Sequence, residues 1–116
     1  LIVNKALQEI VLILQAKTWR VAVGTGTTPA WITNETLENE VSRLDATVSL
    51  ASTYIPDDTL VFEATFTFGA LTAISEIGIF CVDTPSFMLT RLTFSPLEIP
   101  ANIPFPVKIG VPIRRP

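Results

Sequence analysis

Histidine is absent from this chain, cysteine occurs once, and charged residues make up only 16% of the sequence. Without histidine the usual general base and the commonest metal ligand are missing, and no cofactor is expected. The lone cysteine, Cys81, excludes an intrachain disulfide. It lies in an apolar segment with no imidazole to activate it, so it reads as a small buried hydrophobe and not as a nucleophile. Long hydrophobic runs are also lacking. The longest, Ile10–Leu14, is five residues, against about 20 for a spanning helix, so no membrane span is expected. No basic stretch precedes the first apolar segment, so no secretory signal is expected either. With a formal net charge of −3 and eight basic residues, scattered except for Arg114-Arg115, the chain lacks the cationic patch that nucleic-acid binding needs.

What is present is apolar. A chain of 116 residues, 48% of them hydrophobic, has the size of one domain spanning 1–116. Soluble proteins average roughly 25% charged residues, and this one has too little charge to cover its surface. The surplus apolar surface is expected to meet other protein, as at a subunit interface.

Along the chain, Val3, Leu7, Ile10, Val11 and Leu14 follow the spacing of a helix face, which predicts a helix over about 4–17 with Asn4 as its N-cap. Leu12 falls among the polar residues and Ile13 widens the stripe, so the helix is expected to be covered on more than one side. Trp19–Val23 alternates as a strand and ends in Gly24-Thr25-Gly26-Thr27-Thr28-Pro29. That loop lacks the lysine of a phosphate-binding loop and the third glycine of a dinucleotide fingerprint, so it reads as a turn using glycine for positive φ. Thr33–Glu40, with Thr33 or Asn34 as a cap and acidic residues following, predicts one or two helical turns. Asn34-Glu35-Thr36 matches the glycosylation acceptor pattern by chance.

From here the period is two. Strands are expected over Ala46–Ile55, Thr59–Phe68, Ile74–Val82, Phe87–Phe94 and Val107–Ile113, with Pro56-Asp57-Asp58 turning the first into the second. Leu60, Phe62, Ala64, Phe66 and Phe68 form a core face opposite Val61, Glu63, Thr65 and Thr67. Pro112 places the last strand at a sheet edge. The expected fold is mainly β, an antiparallel β-sandwich of about six strands with one N-terminal α-helix.

Chemistry-bearing residues are few. Glu63 and Glu76, on strands expected to be neighbours, offer one acid and base pair. Exposed strand carboxylates more often solvate a face. Asp57, Asp58 and Asp83 fall in turns, where bonds to the backbone account for them without calcium. Trp19, Trp31 and Tyr54 offer a sugar-stacking platform, and Trp31, in a loop, alternatively plugs one end of the sandwich or anchors a subunit contact. Gly78 permits close approach of a backbone or a large aromatic. Glu76 and Arg91 are placed to pair across adjacent strands; an exposed pair contributes only about 0.2–1 kcal/mol and serves register more than stability.

Three stretches in order carry a resemblance. They are Val21-Ala22-Val23-Gly24-Thr25-Gly26-Thr27-Thr28-Pro29 with Thr36-Leu37-Glu38-Asn39-Glu40-Val41, then Ile74-Ser75-Glu76-Ile77-Gly78-Ile79-Phe80, then Leu89-Thr90-Arg91-Leu92-Thr93-Phe94-Ser95-Pro96. Together they resemble the small tail-fibre, head-fibre or decoration-type proteins of tailed phages and related archaeal viruses. Ile99–Pro106, rich in proline, departs from the more polar link of that family. The resemblance implies a non-enzymatic structural component of the virion, commonly oligomeric. The expected partners are copies of the chain, a trimer favoured, and other virion proteins, through an interface of Leu7, Ile10, Val11, Leu12, Leu14 and Trp31. The alternative is a receptor- or glycan-binding module that meets a host surface glycan through Trp31.

Overall fold

A computed structural model of the chain describes residues 1–114; Arg115, half of the basic pair, and Pro116 lie outside the described residues. The helix α1 (Asn4–Gln15) is followed by seven strands, β1 (Trp19–Gly24), β2 (Glu40–Asp45), β3 (Thr47–Ala51), β4 (Thr59–Phe66), β5 (Thr72–Cys81), β6 (Phe87–Ile99) and β7 (Phe105–Pro112). They form two antiparallel sheets, ordered β2-β1-β5-β6 and β3-β4-β7. This is the mainly β, sandwich-like arrangement with an N-terminal helix that the periodicity predicts.

One core joins the sheets. Trp19, Val21 and Val23 of β1 and Ile74, Ile77 and Ile79 of β5 meet Leu60, Phe62 and Phe66 of β4 and Val107 of β7. Each such side chain, fully buried, contributes about 1.5–3 kcal/mol of transfer free energy. Trp19 meets Phe62 edge-on, with ring centroids 5.1 Å apart. Its Nε1 donates to the Leu14 carbonyl at 2.8 Å, which also accepts from the Lys17 amide, and so ties the end of α1 to β1. Val11 of α1 is buried in the same cluster and Leu14 packs on it half-buried, so the helix lies against the sandwich. Phe68 and Cys81 are also buried there, as expected of both.

The boundaries differ from expectation where non-local contacts intervene. The helix stops at Gln15, and Val3 in extended backbone is its N-cap, with Asn4 already helical. Residues read as one strand from Ala46 to Ile55 belong to a chain that changes sheet at Ala46, with β2 on one side and β3 on the other. Strand β2 has no alternating buried face because it is an edge carrying Glu40, Arg43 and Asp45, so periodicity could not reveal it. Thr33–Glu40 is not helical but loop up to Glu40. Strand β6 continues past Phe94 to Ile99 through a register irregularity opposite Ile74 and Glu76, which accommodates Pro96. The edge position expected for the last strand is observed in β7.

The β3–β4 turn is organised by one carboxylate. Asp58 is buried and accepts hydrogen bonds from the amides of Thr53, Tyr54 and Ile55 at 2.7, 2.8 and 3.0 Å and from the Thr59 hydroxyl at 2.9 Å. Those amides are thereby withdrawn from any extension of β3. Burial pushes the Asp58 carboxyl up, but the amide and hydroxyl donors outweigh it and bring it from 3.8 to about 2. Because the folded value lies below the unfolded one, Asp58 favours the native state above about pH 4, and this contribution drains away as pH falls towards 2. Urea-unfolding midpoints are expected to fall across that window. Asp58→Asn is expected to start from a lower midpoint at neutral pH and to fall less steeply below pH 4; equal slopes for the two proteins would refute the assignment.

Candidate functional site

The most chemically organised place in the molecule lies on the outer face of the four-stranded sheet. Alternation on β5 sends Ile77 and Ile79 to the core and Glu76, Gly78 and Phe80 to the other side, where the loops Gly24–Thr28 and Asn34–Asn39 cover them. Glu76 is buried there. Its Oε2 accepts from the Gly26 and Asn39 amides, each at 2.8 Å. Its Oε1 accepts from the Glu38 amide at 2.9 Å and from Arg91 Nε at 3.0 Å. Arg91 sits diagonally across the ladder, opposite Gly78, with Thr93 opposite Glu76. The expected pairing of Glu76 with Arg91 is therefore present, but as a buried pair and not an exposed one.

The glycines of the first loop are explained by this carboxylate and not by left-handed backbone, since no glycine has positive φ among the described residues. A Cβ on Gly24 would stand 2.6 Å from Glu76 Oε2 and against the Asn39 carbonyl oxygen; one on Gly26 would stand 2.5 Å from the same carboxylate oxygen and from Glu38 Cβ. Gly78 has a similar role, because Leu37 and Phe80 occupy the space that its side chain would need. Ser75 Oγ donates to the Gly26 carbonyl at 2.6 Å. Asn34 Oδ1 accepts from the Trp31 amide at 2.8 Å and from Arg91 Nη1 at 3.2 Å. The residues read as a short helix are thus held as loop, because the Glu38 and Asn39 amides go to Glu76 and Leu37 is buried over Gly78.

Burial pushes the Glu76 carboxyl up, but the Asn39, Glu38 and Gly26 amides and the Arg91 guanidinium outweigh it and leave it below the ordinary range. An anion so fully bonded is a poor proton donor, whereas a general acid needs a raised value. Nor does Glu63 join it. Glu63 lies on β4 in the other sheet, exposed, with Lys108 Nζ at 3.5 Å, so the acid and base pair expected of these two strands does not form. No cluster of ligating side chains suited to a metal ion is found among the described residues, and no helix among them is long and apolar enough to cross a membrane.

The structure divides the expected interface. Leu7 and Val11 belong to the chain's own core, and Leu14 packs against it. Ile10 and Leu12 remain 40% and 47% exposed, joined by Ile13. Trp31 is 69% exposed at the rim of a depression of about 360 Å³ that also involves Ile32, Asn34, Met88 and Arg91. Of the other aromatics proposed as a platform, Trp19 is buried, while exposed Tyr54 accepts a hydrogen bond from Arg114 at 2.7 Å. Asp83 accepts from the Thr18 amide, the backbone role expected of a turn aspartate. Sequence reasoning missed Ile32 and the exposed apolar residues of β6, Phe87, Leu92, Phe94 and Leu97. The available signal was that Arg91 is the only charge between Phe87 and Ser95. Neither protein-family models nor curated protein sequences give a match to this chain.

Removing the Glu76 carboxylate leaves Arg91 and three amides without their acceptor. Glu76→Ala is expected to cost about 3–5 kcal/mol in urea unfolding. Gly26→Ala is expected to cost about 1–3 kcal/mol through overpacking, with faster proteolysis of the loop over residues 25–39. Loop cleavage unchanged in both variants would show that Glu76 does not hold the loops.

Proposed function

We propose that this chain is a non-enzymatic structural subunit of a virus particle, in its tail, a fibre or a capsid decoration, and that it works by assembling with copies of itself and with neighbouring virion proteins. The observation that carries this reading is the placement of large apolar side chains in water. Ile10, Leu12 and Ile13 along α1 and Leu92, Phe94 and Leu97 along β6 are all exposed in a chain with only 16% charged residues. Large apolar side chains left in water in such number are consistent with surface that meets protein. The viral setting rests on the three ordered motifs. Their residues include Gly24, Gly26, Glu38, Asn39, Glu76 and Arg91, which meet at one buried carboxylate, so the motif pattern has a common physical cause.

Sedimentation of the purified chain is expected to give a closed oligomer across the micromolar range, and particles made by the genome that encodes it are expected to contain the chain. A persistent monomer would overturn the assembly reading. Absence from purified particles would overturn the viral one.

A second reading, a glycan-binding module, is favoured by one observation, the exposed indole of Trp31 beside the Asn34 and Arg91 side chains. An aromatic face next to polar groups suits a sugar ring. On this reading Trp31→Ala abolishes retention on glycan arrays without changing the oligomer; retention unaltered by the substitution would end it.

A further inference from the structure

A two-sheet sandwich leaves four strand edges, and in this molecule they are unequal. Strand β2 carries Glu40, Arg43 and Asp45. Strand β7 carries Pro106, Lys108 and Pro112. Strand β3 has only five residues. These are the usual devices that keep an edge from pairing with another chain. Strand β6 is the longest, at 13 residues, and among the described residues pairs only with β5. From Phe87 to Ser95 it has no proline, and its single charge, Arg91, is turned inward and bonded to Glu76. Over that stretch the edge is therefore uncharged, with Phe87, Leu92 and Phe94 exposed along it, and Pro96 and exposed Glu98 follow it. The loop bearing Trp31 and Ile32 stands beside Met88–Arg91 across the shallow depression and adds two further exposed apolar side chains.

We propose that this edge, with Trp31 and Ile32, is where a second copy of the chain docks, the two β6 strands pairing antiparallel about a two-fold axis and joining the four-stranded sheets. The inference rests on the assembly reading above and names its surface, moving it from α1 to β6. Self-pairing suits this edge above the others for an electrostatic reason. An isologous contact places a surface against itself, which would have to bury the charges Glu40, Arg43 and Asp45 on β2 and would lose ladder bonds at the prolines of β7. Over Phe87–Ser95 of β6 it brings together uncharged residues and Arg91, which is held inward by Glu76, while Pro96 and Glu98 lie beyond that stretch. The size is also suitable. Taking about 200 Å² for a large side chain, the exposed fractions of Trp31, Ile32, Phe87, Leu92, Phe94 and Leu97 amount to on the order of 600 Å², close to the roughly 800 Å² that each partner of a stable pair buries. Trp31 supplies the aromatic anchor that such contacts favour.

Sedimentation velocity across the micromolar range, with circular dichroism to verify folding, tests this on the wild type, Leu92→Lys, Phe94→Lys, Trp31→Ala and Ile13→Lys. The wild type is expected to be a dimer or an even-numbered assembly of dimers. Each lysine on β6 is expected to weaken association by at least about tenfold, and Ile13→Lys, on α1, to leave it unchanged. Trp31→Ala lies outside the strand and decides the matter if the β6 variants do not fold. Amide exchange over Phe87–Ser95 is expected to slow as wild-type concentration rises. An oligomer that survives the β6 and Trp31 variants, or one of trimeric mass, overturns the β6 pairing while leaving assembly intact. A monomer throughout overturns both. Protection of β6 only on adding a different virion protein would assign the edge to that partner and overturn self-pairing.

Discussion

Glu76 is an anion held away from water, and its carboxylate oxygens are shared by Gly26, Glu38, Asn39 and Arg91. Burying a carboxylate is unfavourable unless hydrogen bonds replace its hydration. The chain meets that demand by bringing two loops over the outer face of β5 and a guanidinium across from β6. Much else follows. Glycine is required at 24 and 26 because the carboxylate fills the space of a side chain, the Thr33–Glu40 segment cannot close into a helix because its amides are engaged, and Leu37 is drawn over Gly78 to shield the pair. The result is a sheet whose outer face is partly roofed by its own loops, with Trp31 carried to the rim of that roof.

The same interaction shapes the outer surface. By turning Arg91 inward, Glu76 removes the one charge from the stretch of β6 between Phe87 and Ser95, so a strand that looks modestly polar in sequence becomes an apolar edge in space. The helix undergoes the reverse change. Its most regular apolar positions, Leu7 and Val11, are buried, Val11 in the core around Trp19 and Phe62, and the part left in water is smaller than its hydrophobic stripe suggests. Together these effects leave more large apolar side chains exposed along β6 than the sequence suggests, and fewer along α1.

Several elements were legible because their signal is local. The period-two alternation of Leu60, Phe62, Phe66 and Phe68 against Glu63, Thr65 and Thr67 follows from the pleat, and the structure keeps it. The helix spacing, the Pro56–Asp58 turn, the edge position of β7 and the Glu76–Arg91 pairing were readable for similar reasons. Strand β2 was not, since an edge strand with both faces largely wet has no alternation to read. The loop mistaken for a helix carried a genuine cap-like pattern at Asn34 and Glu35, but tertiary acceptors took its amides.

Sequence alone therefore determined what depends on neighbours two to four residues apart, namely the strands with one buried face, the helix and the mainly antiparallel character, together with the shortage of charge. Tertiary structure decided which polar groups are buried. The donors to Glu76 lie 15 to 50 residues away along the chain, and no local pattern shows that they converge. Whether a carboxylate is a solvated surface group or a buried anchor depends on how far water is excluded around it, and that is fixed only when the loops and the neighbouring strand close over it.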